Sequence, residues 1–423
     1  MSRLVVVVVM LVSVACTGGG GPGGDDATDT NRSFSIQVFG EPEEIAVYHT
    51  LIERYEDEEP GVDIELIDIA EREDHMARLA TDFAAGDPSD IFLINFREYS
   101  QFVARGAVEP IEELMTERGI DLADYFDPPI EAFTFDGALQ CMPQNVSSLA
   151  VYYNTRLFKR AGIDPPHDGW GWEEFRSAAA ALTQGDVDGV GIDAQIIRLA
   201  PFAWSNGGEI TDDPDDPTRF TLEDPATKEA LEFLVGLVRD GYVPSEEELA
   251  SQDPETRFIN GKLGMLLSSR RDTPQFREVA ALKWDVLPLP VAEEPAGILH
   301  SDAYCIAAAS DAKDAAADFV AWANQEDGQT IAALSGRTVP SLTSIAESRA
   351  FLDPTQAPRH SEVFIDTIAT VRYTPVLPTW PEIEDIADEI LTKVFYEEGY
   401  TIEDATRELD ERANPLFAEG AQG

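Results

Sequence analysis

The stretch DGALQCMPQNVSSLAVYYNTRLFKRAGIDPPHDGWGWEEF, residues 136–175, decides how the rest of the chain is read. It opens with a turn and enters a strand through Pro143, and a polar break at residues 145–148 follows. A second, apolar strand then runs to Tyr152-Tyr153-Asn154, and a short helix starts behind it. Strand, break, strand and helix within so few residues is the syntax of an α/β protein.

The same alternation continues outward. FSIQVFG, residues 34–40, alternates as a strand does, and in the next segment apolar residues at 45, 47, 48, 51, 52 and 55 predict an amphipathic helix stopped by Pro60-Gly61. VDIELIDI is a further strand, and DHMARLATDFAAGDPSDIFLIN gives helix, turn and strand. Helical spacing recurs at 170–183, 226–241, 311–326 and 382–395, with acidic, proline-rich turns such as DDPDDP at 212–217 between. Strands alternating with helices of this length predict mostly parallel sheets flanked by helices.

A chain of 423 residues is too long for one ordinary core and suits two domains. Eighty acidic residues face 30 basic ones, of which six are lysine, for a net charge of −50. That excess disfavours nucleic acid and anionic membrane surfaces as partners. Because the acids are spread along the chain rather than blocked into a tail, they predict a solvated acidic surface, apt for high external salt or simply a biased composition.

The amino-terminal residues read as an export signal. Met1-Ser2-Arg3 precedes an apolar run at 4–14 broken only by Ser13. A membrane-spanning helix needs roughly 20 such residues, a signal core roughly 7 to 15. Small Ser13 and Ala15 precede Cys16, and the pattern resembles a bacterial lipoprotein lipobox, which makes residues 1–15 the signal peptide and Cys16 the lipid-modified first residue of the mature chain. The alternative is ordinary cleavage near Ala15. Residues 16–33, rich in Gly, Asp, Thr and Ser, form a flexible tether. With Cys16 acylated, Cys141 and Cys305 remain, an even number that permits one disulfide.

Catalytic and metal signatures are weak. GVGIDA at 189–194 follows a turn rather than a strand, which argues against a dinucleotide site, and GDVDG lacks the later ligands of a calcium loop. The histidines at 49, 75, 167, 300 and 360 show no metal-ligand spacing, and no GxSxG appears. No cofactor, no metal and no catalytic residue are therefore expected. Carboxylate pairs for glycoside hydrolysis stay open among so many acids.

Segment 136–175 resembles the family 1 extracellular solute-binding proteins, the sugar receptors of ABC importers. The likeness continues in order through LIERYEDEEPGVDIEL, LATDFAAGDPSDIFLIN, FVARGAVEPIEEL, WSNGGEI, FINGKLGMLLSS, WDVLPLPV, DAKDAAADFVAWANQEDGQ and PVLPTWPEIEDI. It implies a two-lobed, type II periplasmic-binding-protein fold of two α/β lobes joined by hinge strands, with the ligand between them. Lobe one is then 34–142 with 305–355, and lobe two 143–300 with 356–423. By the same likeness the ligand residues are Phe39, Glu41, Asn95, Arg97, Asn145, Ser147, Trp204 and Trp380. Arg270 or Arg271 stands where many relatives have an aromatic platform, and GILHSDAYCIAA adds His300, Asp302 and Tyr304. Sugars need such a mixture of polar side chains and rings. Cys141 and Cys305 are placed near the hinge, where they could pair.

The implied protein is a monomer, anchored to the cell membrane through lipid on its extracellular or periplasmic side. It passes a carbohydrate to permease subunits. The departures at Arg270 and at His300, Asp302 and Tyr304 leave a charged or non-sugar solute open, such as a polyamine, peptide or chelate. An anchored glycan hydrolase is the alternative from the enzyme class.

Overall fold

The computed structural model describes residues 32–167 and 169–421, so the signal peptide, Cys16 and nearly all of the tether lie outside the described residues. The first sheet is ordered Asp63–Ile69, Ser33–Phe39, Ile91–Asn95, Asp302–Ala307, Val108–Glu109, with Met142–Pro143 also paired to Asp302–Ala307. The first three strands are parallel, in a register that sets Ile36 beside both Leu66 and Ile91. IFLIN, residues 91–95, is buried along its whole length, as expected of a strand covered on both faces. Helix Pro42–Glu58 covers the sheet with Tyr48, Leu51, Ile52 and Tyr55, the face its spacing predicts.

The second sheet is ordered Trp284–Leu287, Ala150–Asn154, Leu263–Ser268, Asp188–Gly191. Strand Ala150–Asn154 ends where the sequence breaks to helix because the Asn154 side chain accepts from the amides of Arg156 and Leu157, at 3.1 and 3.2 Å. Both sheets are mixed. Asp302–Ala307 lies antiparallel to Ile91–Asn95, and Ala150–Asn154 antiparallel to both its neighbours. The reason is topological: each of these strands arrives from the other sheet by a direct crossing rather than by a helical crossover on one face.

The crossings lie side by side. Ser147 and His300 exchange both main-chain hydrogen bonds, at 2.8 and 2.9 Å, and the Val146 amide donates to Val339 O at 2.9 Å. A further pass comes from Gly297–Ile298, parallel to Val371–Arg372. Immediately before the first crossing, a disulfide joins Cys141 to Cys305, with Cα atoms 4.4 Å apart. One apolar cluster gathers Ile36, Phe92, Tyr304 and Phe319, and a second gathers Trp170, Phe202, Leu234, Trp380 and Phe417. Among the described residues no helix is long and apolar enough to cross a membrane, and no group of side chains is arranged to hold a metal ion.

Candidate ligand-binding site

The carboxyl end of strand Ile91–Asn95 meets the crossing segments at one cluster of polar side chains. Asn95 Nδ2 donates to Asp302 Oδ1 at 3.0 Å, and the Asp302 amide donates to Asn145 Oδ1 at 2.9 Å. Asn95 Oδ1 in turn accepts from the amide and Nε of Arg97, at 3.2 and 3.1 Å. Polar groups at strand ends beside a change of strand order are where α/β folds place their ligands. Four of the sequence-derived residues, Asn95, Arg97, Asn145 and Asp302, are thus joined directly, and Ser147 lies beside them through its pairing with His300.

From this cluster Arg97 reaches across to Glu384 on helix Trp380–Tyr396, and both side chains are nearly buried. The other Glu384 oxygen accepts from Trp380 Nε1 at 2.9 Å. One helical step further, Asp388 accepts from the Ile196 amide at 2.7 Å and so satisfies an amide in the first turn of helix Ile196–Ser205. Arg198 lies on that first turn, nearly buried, with Nη2 at 3.4 Å from Asp193. On the other side, Arg72 grips Glu98 with two contacts, 3.1 and 2.9 Å.

These charges govern one another. Burial, and then the neighbouring Glu384 carboxylate, push the Asp388 carboxyl up to about 7. Burial raises Glu98 despite the opposing pull of Arg72. His300 is held well below the usual imidazole range by burial and then by Arg198, Arg97, Arg271 and Arg72, so it stays neutral at physiological pH.

The other sequence-derived residues are placed differently. Trp380 is fully buried against Phe220 and Phe417, behind Glu384. Trp204 is also buried, with the Arg372 guanidinium 4.7 Å from its ring centroid. Arg270 runs into the core, donating to Gly336 O and Ser361 Oγ at 2.8 and 3.0 Å over the rings of Phe351 and Phe364, whereas exposed Arg271 pairs with Glu255 at 3.0 Å. Tyr304 is buried against Tyr48 and Phe319. Phe39 packs on His75, and Glu41 is an exposed residue preceding helix Pro42–Glu58.

Sequence reasoning missed Arg72, Glu98, Arg198, Glu384 and Asp388. Two signals were available. Trp380, Glu384 and Asp388 recur every fourth residue on one helix face, and Arg198 is a lone cation within the otherwise apolar IIRLAPFAW. An open concavity of about 610 Å³ lined by Tyr153, Pro165, Leu287 and Val363 contains none of these residues. Its lining includes the polar side chains of His360, Glu362 and Asp366, but the crossing cluster joins polar groups from the segments that link the two sheets and is the better candidate on chemistry.

The sequence pattern of bacterial extracellular solute-binding proteins matches residues 50–359. The chain belongs to that family. A binding protein of Brucella abortus (strain 2308) is 26% identical over 358 residues, covering 82% of this chain and 84% of its own. The mannitol-binding protein of Pseudomonas aeruginosa is 25% identical over 333 residues, 74% of each. The ABC substrate-binding protein Lmo0181 of Listeria monocytogenes, solved in complex with cycloalternan, superposes with a TM-score of 0.84 over 91% of this chain and 99% of its own, at 24% identity. This solute-binding protein therefore has the two-lobed periplasmic-binding-protein fold.

Proposed function

We propose that the protein is the carbohydrate-binding subunit of an ABC importer, with no catalysis of its own. The observation that carries this reading is the polar cluster at the crossing. It joins donors and acceptors from strand Ile91–Asn95, the crossing segments and helix Trp380–Tyr396, so a solute held there contacts both halves and favours their closure. Mannitol, for which one relative is named, and cycloalternan, held by another, support a carbohydrate. Lobe one comprises 34–142 with 305–355, and lobe two 143–300 with 356–423. Asn95, Arg97, Asn145, Ser147 and Asp302 form the floor of the site; Phe39, Glu41, Trp204, Arg270, Tyr304 and Trp380 border or support it. Cys16 carries the lipid that holds a monomer beside its permease on the outer face of the cell membrane.

Calorimetric titration of the purified chain with a panel of sugars, polyols and oligosaccharides tests this, with each mixture assayed afterwards for cleavage products. Saturable binding without product is the expected result. Turnover of a glycan would replace the receptor with a hydrolase, and binding confined to polyamines or peptides would replace the carbohydrate. Mass spectrometry of the native amino terminus tests the anchor, which fails if Cys16 is present unmodified.

A further inference from the structure

The hydrogen-bond inventory of the crossing cluster is lopsided. Its carboxylates are already served: Asp302 by Asn95 and Asn145, Glu384 by Arg97 and Trp380, Glu98 by Arg72, Asp388 by the Ile196 amide. Among the side chains of this cluster, the buried atoms left without a hydrogen-bond partner are Arg198 Nε and Nη1 and His300 Nε2. Arg198 is 5% exposed, and its one ion-pair contact, to Asp193, leaves those two nitrogens unused. A guanidinium is a donor at every nitrogen, so the unmet demand at Arg198 is for acceptors. A buried donor left unmatched is costly, the more so when charged.

A neutral hydroxyl can accept from one of these nitrogens, but it offers a single uncharged oxygen and brings a donor of its own. A carboxylate or phosphate oxygen brings none, and its charge strengthens the bond to arginine. Arg198 and His300 belong to one continuous arrangement. Arg198 sits on the helix whose first turn is held by Asp388, Asp388 follows Glu384 by one helical step, and Glu384 binds Arg97, which binds Asn95 beside Asp302 and the His300 crossing.

We propose that the solute carries an oxyanion, a carboxylate or a phosphate on a carbohydrate or polyol, which is received by Arg198 with His300 alongside. The inference rests on the carbohydrate-binding reading and narrows it to acidic members of that class. His300, kept neutral by burial and by the arginines around it, adds no charge of its own, so Arg198 supplies the charge that recognises the anion.

Matched probes test it: glucose against glucuronate and glucose 1-phosphate, and mannitol against mannitol 1-phosphate, titrated into the full chain by calorimetry and followed by thermal shift. An acidic probe should bind at least about tenfold more tightly than its neutral counterpart, and whichever acid prevails identifies the carboxylate or the phosphate as the natural group. Arg198→Gln should lose that preference, weakening the acidic probe far more than the neutral one. Arg198→Lys, which keeps the charge, should recover part of it and serves if the glutamine variant does not fold. Equal or tighter binding of the neutral probes overturns the oxyanion and leaves the receptor reading intact. Acid-selective binding that survives in both variants overturns the assignment to Arg198. Binding of no probe, neutral or acidic, overturns both readings.

Discussion

Trp380 ties a packed aromatic cluster to the charges of the crossing. Its ring lies between those of Phe220 and Phe417, with centroids 6.2 and 6.3 Å away, and its nitrogen orients Glu384 toward Arg97. Trp380→Ala should therefore lose roughly 3 to 5 kcal/mol of folding stability in urea denaturation, as large-to-small changes in a packed core do. Trp380→Phe retains most of the packing but leaves a Glu384 oxygen without its donor, a cost of about 1 to 3 kcal/mol. An alanine variant with an unchanged midpoint and weakened solute binding would instead place the ring against the ligand. The sequence singled out Trp380 through its surroundings, PTWPEI, but an indole suits a sugar face and a core equally well. Its burial is decided by Phe220, far away in the chain, and that proximity is not written in local spacing. Arg270 is a sharper case. Nothing local announces that it enters the core while Arg271 stays exposed, because the partners that draw it in, Gly336 and Ser361, belong to distant segments.

At the scale of elements, helix Trp380–Tyr396 holds Glu384, Asp385 and Asp388 near one another, and Asp388 titrates near 7 as a result of burial and the Glu384 charge. A carboxyl whose folded value is raised stabilises the fold below its unfolded value, near 3.8, and that contribution is lost as pH rises through about 7. Asp388→Asn cannot lose a proton yet keeps an oxygen for the Ile196 amide. Its melting temperature relative to the parent should rise by a few degrees between pH 5 and about 7 and then level off; a pH-independent difference would mean that Asp388 is ionised throughout. The disulfide is a second element-scale test. Replacing Cys141 and Cys305 together by alanine opens a link between residues 164 apart and should cost roughly 2 to 5 kcal/mol, read from denaturation midpoints. Titration of the denatured, unreduced chain should find neither thiol free, and finding both rejects the bond. Periodicity located the elements well: strands Ser33–Phe39, Asp63–Ile69 and Ile91–Asn95, and helices Pro42–Glu58 and Pro225–Arg239, fall where alternation and helical spacing put them. The direction of Asp302–Ala307 was not legible, since a strand's residues alternate identically whichever way it is inserted. It is fixed by the crossing that precedes it.

For the whole molecule, 80 acidic residues against 30 basic ones make self-repulsion a standing cost of compactness. Salt shortens the screening length from ~10 Å near 0.1 M to ~3 Å near 1 M, so the melting temperature should rise with sodium chloride across that range. A fall would show that attractive ion pairs outweigh the net repulsion. Against that acidic background the arginines at the crossing stand out by placement rather than number, which composition could not reveal. The Arg97–Glu384 pair has one more consequence. Its two members lie 287 residues apart, so while the chain is being synthesised, Arg97 emerges long before the carboxylate that will neutralise it. The polar cluster is therefore completed late. A polypeptide cut short before residue 384 contains every strand of the first sheet but lacks the carboxylate that pairs with Arg97, so a finished polar cluster marks a chain synthesised past that residue.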